Sequence, residues 1–359
     1  MGNPLNIIQP LSIFTGPLRQ LTLIIGSEIF TFILALLLAP PFIRFLHSHK
    51  LGKQLRINAT SGEKATIFNE LHAKKAGTPT MGGVLIWGSV LVTLGFTQLL
   101  QWFGVIDHSL INRNETWLPV FTLVTTALLG LIDDYINVKG ESKGLKVKPK
   151  MFWLLLFAAM GAWWFYSKLG VNSIHIPLLG NINIGLWYIP LFIFVISGTA
   201  NAVNFTDGLD GLAGGLLIIA FGGFGVIAFV QGLFILSAFC AVIVGALLAF
   251  LWYNVPPAKF YMGDTGALSL GATLGVIAMM TNSAIALILI GAVFVIETLS
   301  VIIQLTSKKF LGRKVFLIAP IHHHFEKLGW PEATVVMRFW IVGGMLAVLG
   351  VILRLTGGF

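Results

Sequence analysis

The segment Asn201-Ala202-Val203-Asn204-Phe205-Thr206-Asp207-Gly208-Leu209-Asp210-Gly211-Leu212 sets two asparagines and two aspartates between apolar runs at 184–203 and 208–231. A run of about twenty apolar residues is the length that crosses the hydrocarbon of a bilayer. Carboxylates beside such runs are costly unless they pair, bind a cation or take part in chemistry. Asn201 and Asn204 stand one helical turn apart. Gly208, Gly211, Gly214 and Gly215 permit tight turning and close helix approach. Asp207 is placed to cap the second helix, with Asp210 three residues further along. A polar turn packed by small residues needs fewer amides and carboxylates than this. The segment reads as one wall of a site at a membrane surface.

The rest of the chain extends the pattern. Its 359 residues are 56% hydrophobic and 10% charged, with 28 Phe and 10 Trp. Together with a mean hydropathy of +0.89, this excludes an ordinary soluble domain. Ten spans are expected, at 21–46, 81–103, 117–137, 149–169, 184–203, 208–231, 233–254, 264–281, 283–306 and 334–355. The expected fold is an all-α polytopic membrane protein forming one domain over 1–359, with no internal repeat or separate soluble part. Residues 1–20 are too polar and proline-broken for a signal peptide, so the first span is expected to stay in the mature protein. The single cysteine, Cys240, lies mid-span and leaves no disulfide or thiolate metal centre.

Charge sets the orientation. Of the 23 Lys and Arg, only Arg19, Arg113, Lys168 and Arg354 fall on the side that holds the two termini. The others, including Lys74, Lys139, Lys150, Lys259, Lys308 and Arg313, fall on the opposite side. By the positive-inside rule that basic side is cytoplasmic and both termini are periplasmic. Only 14 residues are Asp or Glu, and five of them, Asp133, Asp134, Asp207, Asp210 and Asp264, then meet at the cytoplasmic ends of their spans. A net charge of +9 around an acidic centre suits a phosphate-rich substrate, although insertion and anionic lipid also favour basic loops.

Asp133 and Asp134 close the third span, where the helix dipole disfavours an anion. Adjacent helical residues diverge by about 100°, so one can act while the other orients. Asp264 opens the eighth span within Phe260-Tyr261-Met262-Gly263-Asp264-Thr265-Gly266, where the dipole favours the carboxylate. An ionised oxygen donor there suits Mg²⁺, and an ordinary helix cap would use the same residue. His322, His323 and His324 lie in Ala319-Pro320-Ile321-His322-His323-His324-Phe325-Glu326. Three consecutive histidines cannot all face one metal on a regular helix, so phosphate contact suits them better than zinc. Glu297 and Gln304 face the protein interior of the ninth span, and helix-to-helix hydrogen bonding is the expected role of Glu297. Lys74 to Gly83 form a glycine-rich entry to the second span that can receive phosphate.

Five segments in this order, TPTMGG (78–83), DDY (133–135), NAVNFTDGLDGL (201–212), FYMGDTG (260–266) and APIHHHFE (319–326), resemble the polyprenyl-phosphate N-acetylhexosamine-1-phosphate transferases. The histidine segment resembles the phospho-N-acetylmuramoyl-pentapeptide branch of that superfamily. The resemblance implies transfer from UDP-N-acetylmuramoyl-pentapeptide to undecaprenyl phosphate in the bacterial inner membrane, giving lipid I and UMP with Mg²⁺ as cofactor. It implies a homodimer, and nucleic acid is not an expected partner. Asp133 and Asp134 match the family's aspartate pair, Asp264 its metal aspartate, and His322, His323 and His324 its histidine cluster. Asp133 is the expected base, and Asp134 the orienter or a secondary metal contact. Asn201, Asn204, Asp207 and Asp210 match the wall linked to the nucleoside, and Tyr261 the aromatic offered to uracil. Lys74, Thr80, Asn254 and Gln304 match positions at the cleft. Direct attack by the lipid phosphate and a phospho-aspartate route both fit the family.

Two rival functions use the same residues differently. A sister transferase would take UDP-N-acetylglucosamine, which the histidine cluster disfavours. An ion-coupled transporter would place its carboxylates near the midplane of repeated halves, whereas here, Glu297 aside, they gather at one face.

Overall fold

The computed structural model describes residues 17–52, 77–106, 108–111, 115–139 and 144–356. Its helices are α1 (Pro17–Ser48), α2 (Gly83–Trp102), α3 (Trp117–Lys139), α4 (Val147–Lys168), α5 (Tyr188–Thr206) and α6 (Leu212–Val230). They continue as α7 (Phe234–Asn254), α8 (Gly263–Met280), α9 (Ala284–Ile290), α10 (Ala292–Leu311), α11 (Ile321–Lys327) and α12 (Glu332–Thr356). Among the described residues, eight helices are long and apolar enough to cross a membrane, and α9 with α10 makes up to nine. The chain is a polytopic membrane protein. The fourth expected span forms α4, but its tryptophans, Tyr166 and lysines keep it below the apolarity of the others.

Three expectations need correction. The ninth span is broken: α9 and α10 are bent by 83° at Gly291, where a glycine interrupts an otherwise uniform apolar run. The fold is also not wholly helical. Strands β1 (Ser173–Ile176) and β2 (Gly180–Asn183) pair antiparallel between α4 and α5. Finally, Asp207 does not cap α6; it sits at the C-terminal end of α5, and Gly211, with φ at +83°, precedes the first turn of α6.

Helix α8 is central. Ala267, Leu270 and Leu274 join one buried apolar cluster with α6 and α7. Leu268, Ala272 and Val276 join another with α4 and α5. Burial on every side requires small residues at the crossings. A Cβ on Gly271 would lie 2.6 Å from the Thr199 carbonyl oxygen and 2.8 Å from Ala200 Cα of α5. A Cβ on Gly222 of α6 would meet nothing within 4 Å. Gly271→Ala is therefore expected to cost about 1–3 kcal/mol by overpacking, measured as a lower thermal midpoint in detergent. Gly222→Ala should leave that midpoint unchanged.

Candidate active site

The site is assembled where α3 ends and α8 begins. Asp134 accepts the backbone N–H of Asp264 on Oδ1 and that of Thr265 on Oδ2, each at 3.1 Å. A carboxylate from one helix thus satisfies the exposed amides of another and faces its positive end. Gly263 makes the approach possible: its φ is +73°, and a Cβ there would lie 2.5 Å from Asp134 Oδ2 and 2.7 Å from Thr80 Oγ1. Thr80 is buried, and its segment is joined to the Asp264 segment through the backbone. Tyr261 N–H donates to Pro79 at 2.8 Å, Gly82 N–H to Tyr261 at 2.7 Å, and Gly83 N–H to Met262 at 2.8 Å.

Asp133 faces a different neighbour. Its Oδ1 accepts Leu145 N–H at 2.5 Å, and its Oδ2 accepts Lys150 Nζ at 2.8 Å. Lys150 also donates to Asp264 Oδ2, while Asp264 Oδ1 accepts Asn204 Nδ2 at 2.7 Å. Residues from α3, α4, α8 and α5 form one continuous hydrogen-bonded chain, charged in its first three members. By sequence alone Lys150 is one loop cation among several. Its place at the first turn of an apolar run, Pro149-Lys150-Met151, was the available signal.

The polar wall divides into two parts. Asn204 joins the carboxylates, whereas Asn201 donates to Ser197 O at 2.7 Å within its own helix and to Met151 Sδ at 3.6 Å. Asp210 is buried; its Oδ2 accepts Ala258 N–H at 3.0 Å, and its own N–H donates to Glu332 Oε1 at 2.8 Å. Asn254 accepts Gly211 N–H on Oδ1 and donates from Nδ2 to Phe260 O, each at 2.9 Å. Asp207 and Tyr261 are half-buried. Lys74 lies outside the described residues.

The histidines have three different surroundings. His322 is fully buried, with Nδ1 3.0 Å from Glu297 Oε2. That is ion-pair distance, but off the line of a hydrogen bond. A Cβ on Gly208 would collide with the His322 ring, so this glycine gives the ring its space. His323 Nδ1 lies 2.7 Å from Glu326 Oε2. His324 Nδ1 accepts Leu317 N–H at 3.2 Å. Gln304 accepts Val315 N–H and Phe316 N–H at 3.0 Å and donates to Phe316 O at 2.8 Å. Three glutamates join the site through partners: Glu297 through His322 and Glu332 through Asp210 on other elements, and Glu326 through His323 on its own helix.

Asp133 and Asp264 present hard oxygen donors to a single point, held here by the Lys150 ammonium. Among the described residues, no three His, Cys, Asp or Glu are arranged to hold an ion. A donor set of two carboxylates fits a small divalent cation that completes its shell with water and phosphate oxygens.

Paired carboxylates and a lysine meet where membrane-length helices end, and residues 116–282 match the family model for glycosyl transferase family 4. Residues 75–86 match signature 1 of the phospho-N-acetylmuramoyl-pentapeptide-transferases. The enzyme of that name from Geobacillus sp. strain WCH70 is 42% identical over 327 residues, covering 90% of this chain and 95% of the relative. The one from Chloroflexus aurantiacus strain J-10-fl is 40% identical over 344 residues, covering 91% and 88%. The one from Pelagibacter ubique strain HTCC1062 is 39% identical over 360 residues, covering 94% of each. The chain belongs to the phospho-N-acetylmuramoyl-pentapeptide transferase family and is a phosphotransferase.

If Asp134 acts by capping α8, Asp134→Ala should cost about 1–2 kcal/mol and displace Asp264. A lowered thermal midpoint and at least tenfold slower nucleotide release are the expected pair of results. Unchanged turnover with a lowered midpoint would separate the cap from the chemistry.

Proposed function

We propose that this enzyme transfers phospho-N-acetylmuramoyl-pentapeptide from UDP to undecaprenyl phosphate, yielding lipid I and UMP, with Mg²⁺ as cofactor. On this reading the bundle has ten spans in a bacterial inner membrane, both termini are periplasmic, and the carboxylates open to the cytoplasm. The family's homodimer is part of the same reading. The observation that carries it is the Asp133–Lys150–Asp264 cluster, set at the end of the bundle where the loop cations collect.

Transfer between two phosphates concentrates negative charge, so positioning and neutralisation carry most of the catalysis. Asp264, with Asp133 beside it, would hold Mg²⁺, which when bound would supply positive charge to the pyrophosphate and the leaving UMP. Asn204 holds Asp264 in place, and Asp134 holds the helix end on which Asp264 sits. Asp133 is the base for the lipid phosphate, its carboxylate oriented by Leu145 N–H on Oδ1 and Lys150 on Oδ2. Tyr261 is the platform offered to uracil, and Asp207 the acceptor beside it. His324, still open to solvent, is the histidine offered to the sugar phosphate, with buried His322, His323 and Gln304 behind it. Glycan identity is read there, while the polyprenyl tail stays in the bilayer.

UMP release in detergent with undecaprenyl phosphate tests the reading. Release with UDP-N-acetylmuramoyl-pentapeptide, abolished by chelation and restored by Mg²⁺, is expected; release only with UDP-N-acetylglucosamine would overturn the donor. Asp264→Asn should lower turnover by roughly 10²–10³, the scale of losing one preorganised electrostatic group. Asp133→Asn should lose a similar factor with UDP-donor binding retained by calorimetry, and normal turnover would remove it as base.

A further inference from the structure

At the end of the bundle away from the carboxylates, the β1–β2 hairpin exposes apolar side chains that its fold does not use. Leu178 is 90% exposed, Leu179 72%, Leu186 68% and Trp187 77%. The tip is a four-residue turn in which Leu179 N–H donates to Ile176 O at 3.0 Å. Pro177 takes its second position and Leu178, with φ at +70°, its third. Proline followed by a left-handed residue is the pattern of a type II turn, which calls for Gly or Asn at the third position. A leucine there is unfavourable for the backbone, and its side chain would be unfavourable in water. Both costs are offset only if the side chain meets an apolar phase.

The hairpin is not free to turn this face inward. His175 is buried; its N–H donates to Asn282 Oδ1 at 2.8 Å, and Asn282 Nδ2 donates to Asn181 Oδ1 at 3.2 Å. Asn282 lies in the turn between α8 and α9, so the hairpin is fixed across the helix ends. Leu169 to Trp187 contain no Asp, Glu, Lys or Arg, which gives a soluble partner no charge to complement. The segment starts where α4 ends and stops where α5 begins, and a four-residue strand reaches only about 13 Å at about 3.3 Å per residue. The tip therefore stays near the membrane boundary. Trp102, Phe103, Trp117 and Trp163 are exposed at the same end of α2, α3 and α4, the arrangement of an interfacial aromatic belt.

We propose that the hairpin is a lipid-docking element. Leu178 and Leu179 at its tip and Leu186 and Trp187 at its base enter the headgroup and upper acyl region of the leaflet opposite the active site. This pins the junction of α4 and α5. Helix α4 carries Lys150 at its other end, so the hairpin sets the depth of a helix on which the charged cluster depends.

Cys240, the only native cysteine, is buried mid-helix, so a nitroxide can be placed selectively on Leu178→Cys and, separately, on Leu179→Cys. The full-length labelled proteins go into phosphatidylcholine–phosphatidylglycerol nanodiscs, with UMP release within twofold of the parent as the sign of a native fold. The expected result is more frequent collision with oxygen than with a water-soluble nickel chelate at both positions. Collision mainly with the nickel chelate would put the tip in water and overturn the proposal. Protection from both reagents would mean that protein, including a second copy of the chain, covers the tip, and would overturn it equally. Two positions keep the result decisive if one substitution disturbs the turn.

Discussion

Asp133 and Asp264 lie close enough to share one ammonium, and that concentration of like charge is the constraint on which the site depends. At about 4 Å and an effective dielectric near 20, two unit charges interact by about 4 kcal/mol. Repulsion on that scale would drive the helices apart or protonate one carboxylate. Lys150 opposes it from α4, Asn204 opposes it from α5, and the first turn of α8 contributes its dipole. The register of four helices is therefore set at one point. An arrangement that gathers negative charge around a cation is also what a reaction between two phosphates needs, because the same cationic centre meets the incoming charge.

Much of the polar wall holds backbone. Gln304 spends its amide on residues 315 and 316. Asn254 ties Gly211 to Phe260, and Asp210 binds Ala258 while Glu332 binds Asp210. These contacts fix the three segments that meet at the cleft, and a frame of this kind lets the remaining groups act without reorganising. Among the remaining groups, Asp264, Lys150, Tyr261, Asp207 and His324 are still open to solvent, and buried Asp133 reaches them through Lys150.

Most of the apolar helices, and the value of Asp133, Asp134 and Asp264 as costly carboxylates at helix ends, were legible in the sequence, because twenty-residue apolar runs and acidic residues beside them are local signals. What escaped was non-local. Lys150 resembles any loop lysine until α4 is packed against α3 and α8. Glu297 reads as an interhelical hydrogen bond because its partner, His322, belongs to a separate short helix. The 83° break at Gly291 leaves composition unchanged on either side, so hydropathy runs straight across it. The hairpin was missed because its strands are four residues long and are set among Gly, Asn and Pro. The cap expected from Asp207 failed because Gly211, not Asp207, makes the turn into α6.

The adjacency of Asp133 and Asp134 now has a mechanical meaning. On a helix, neighbours point about 100° apart, so a pair at the end of α3 faces two directions at once. Asp134 faces the start of α8 and fixes where Asp264 stands. Asp133 faces Lys150, which bridges it to Asp264. The two aspartates share one backbone, so whatever positions Asp134 against α8 also positions Asp133 against the charged cluster. Separating them by even one residue would turn one carboxylate away from its partner. The pair couples the docking of two helices to the geometry of the site, and a single helix end performs both tasks.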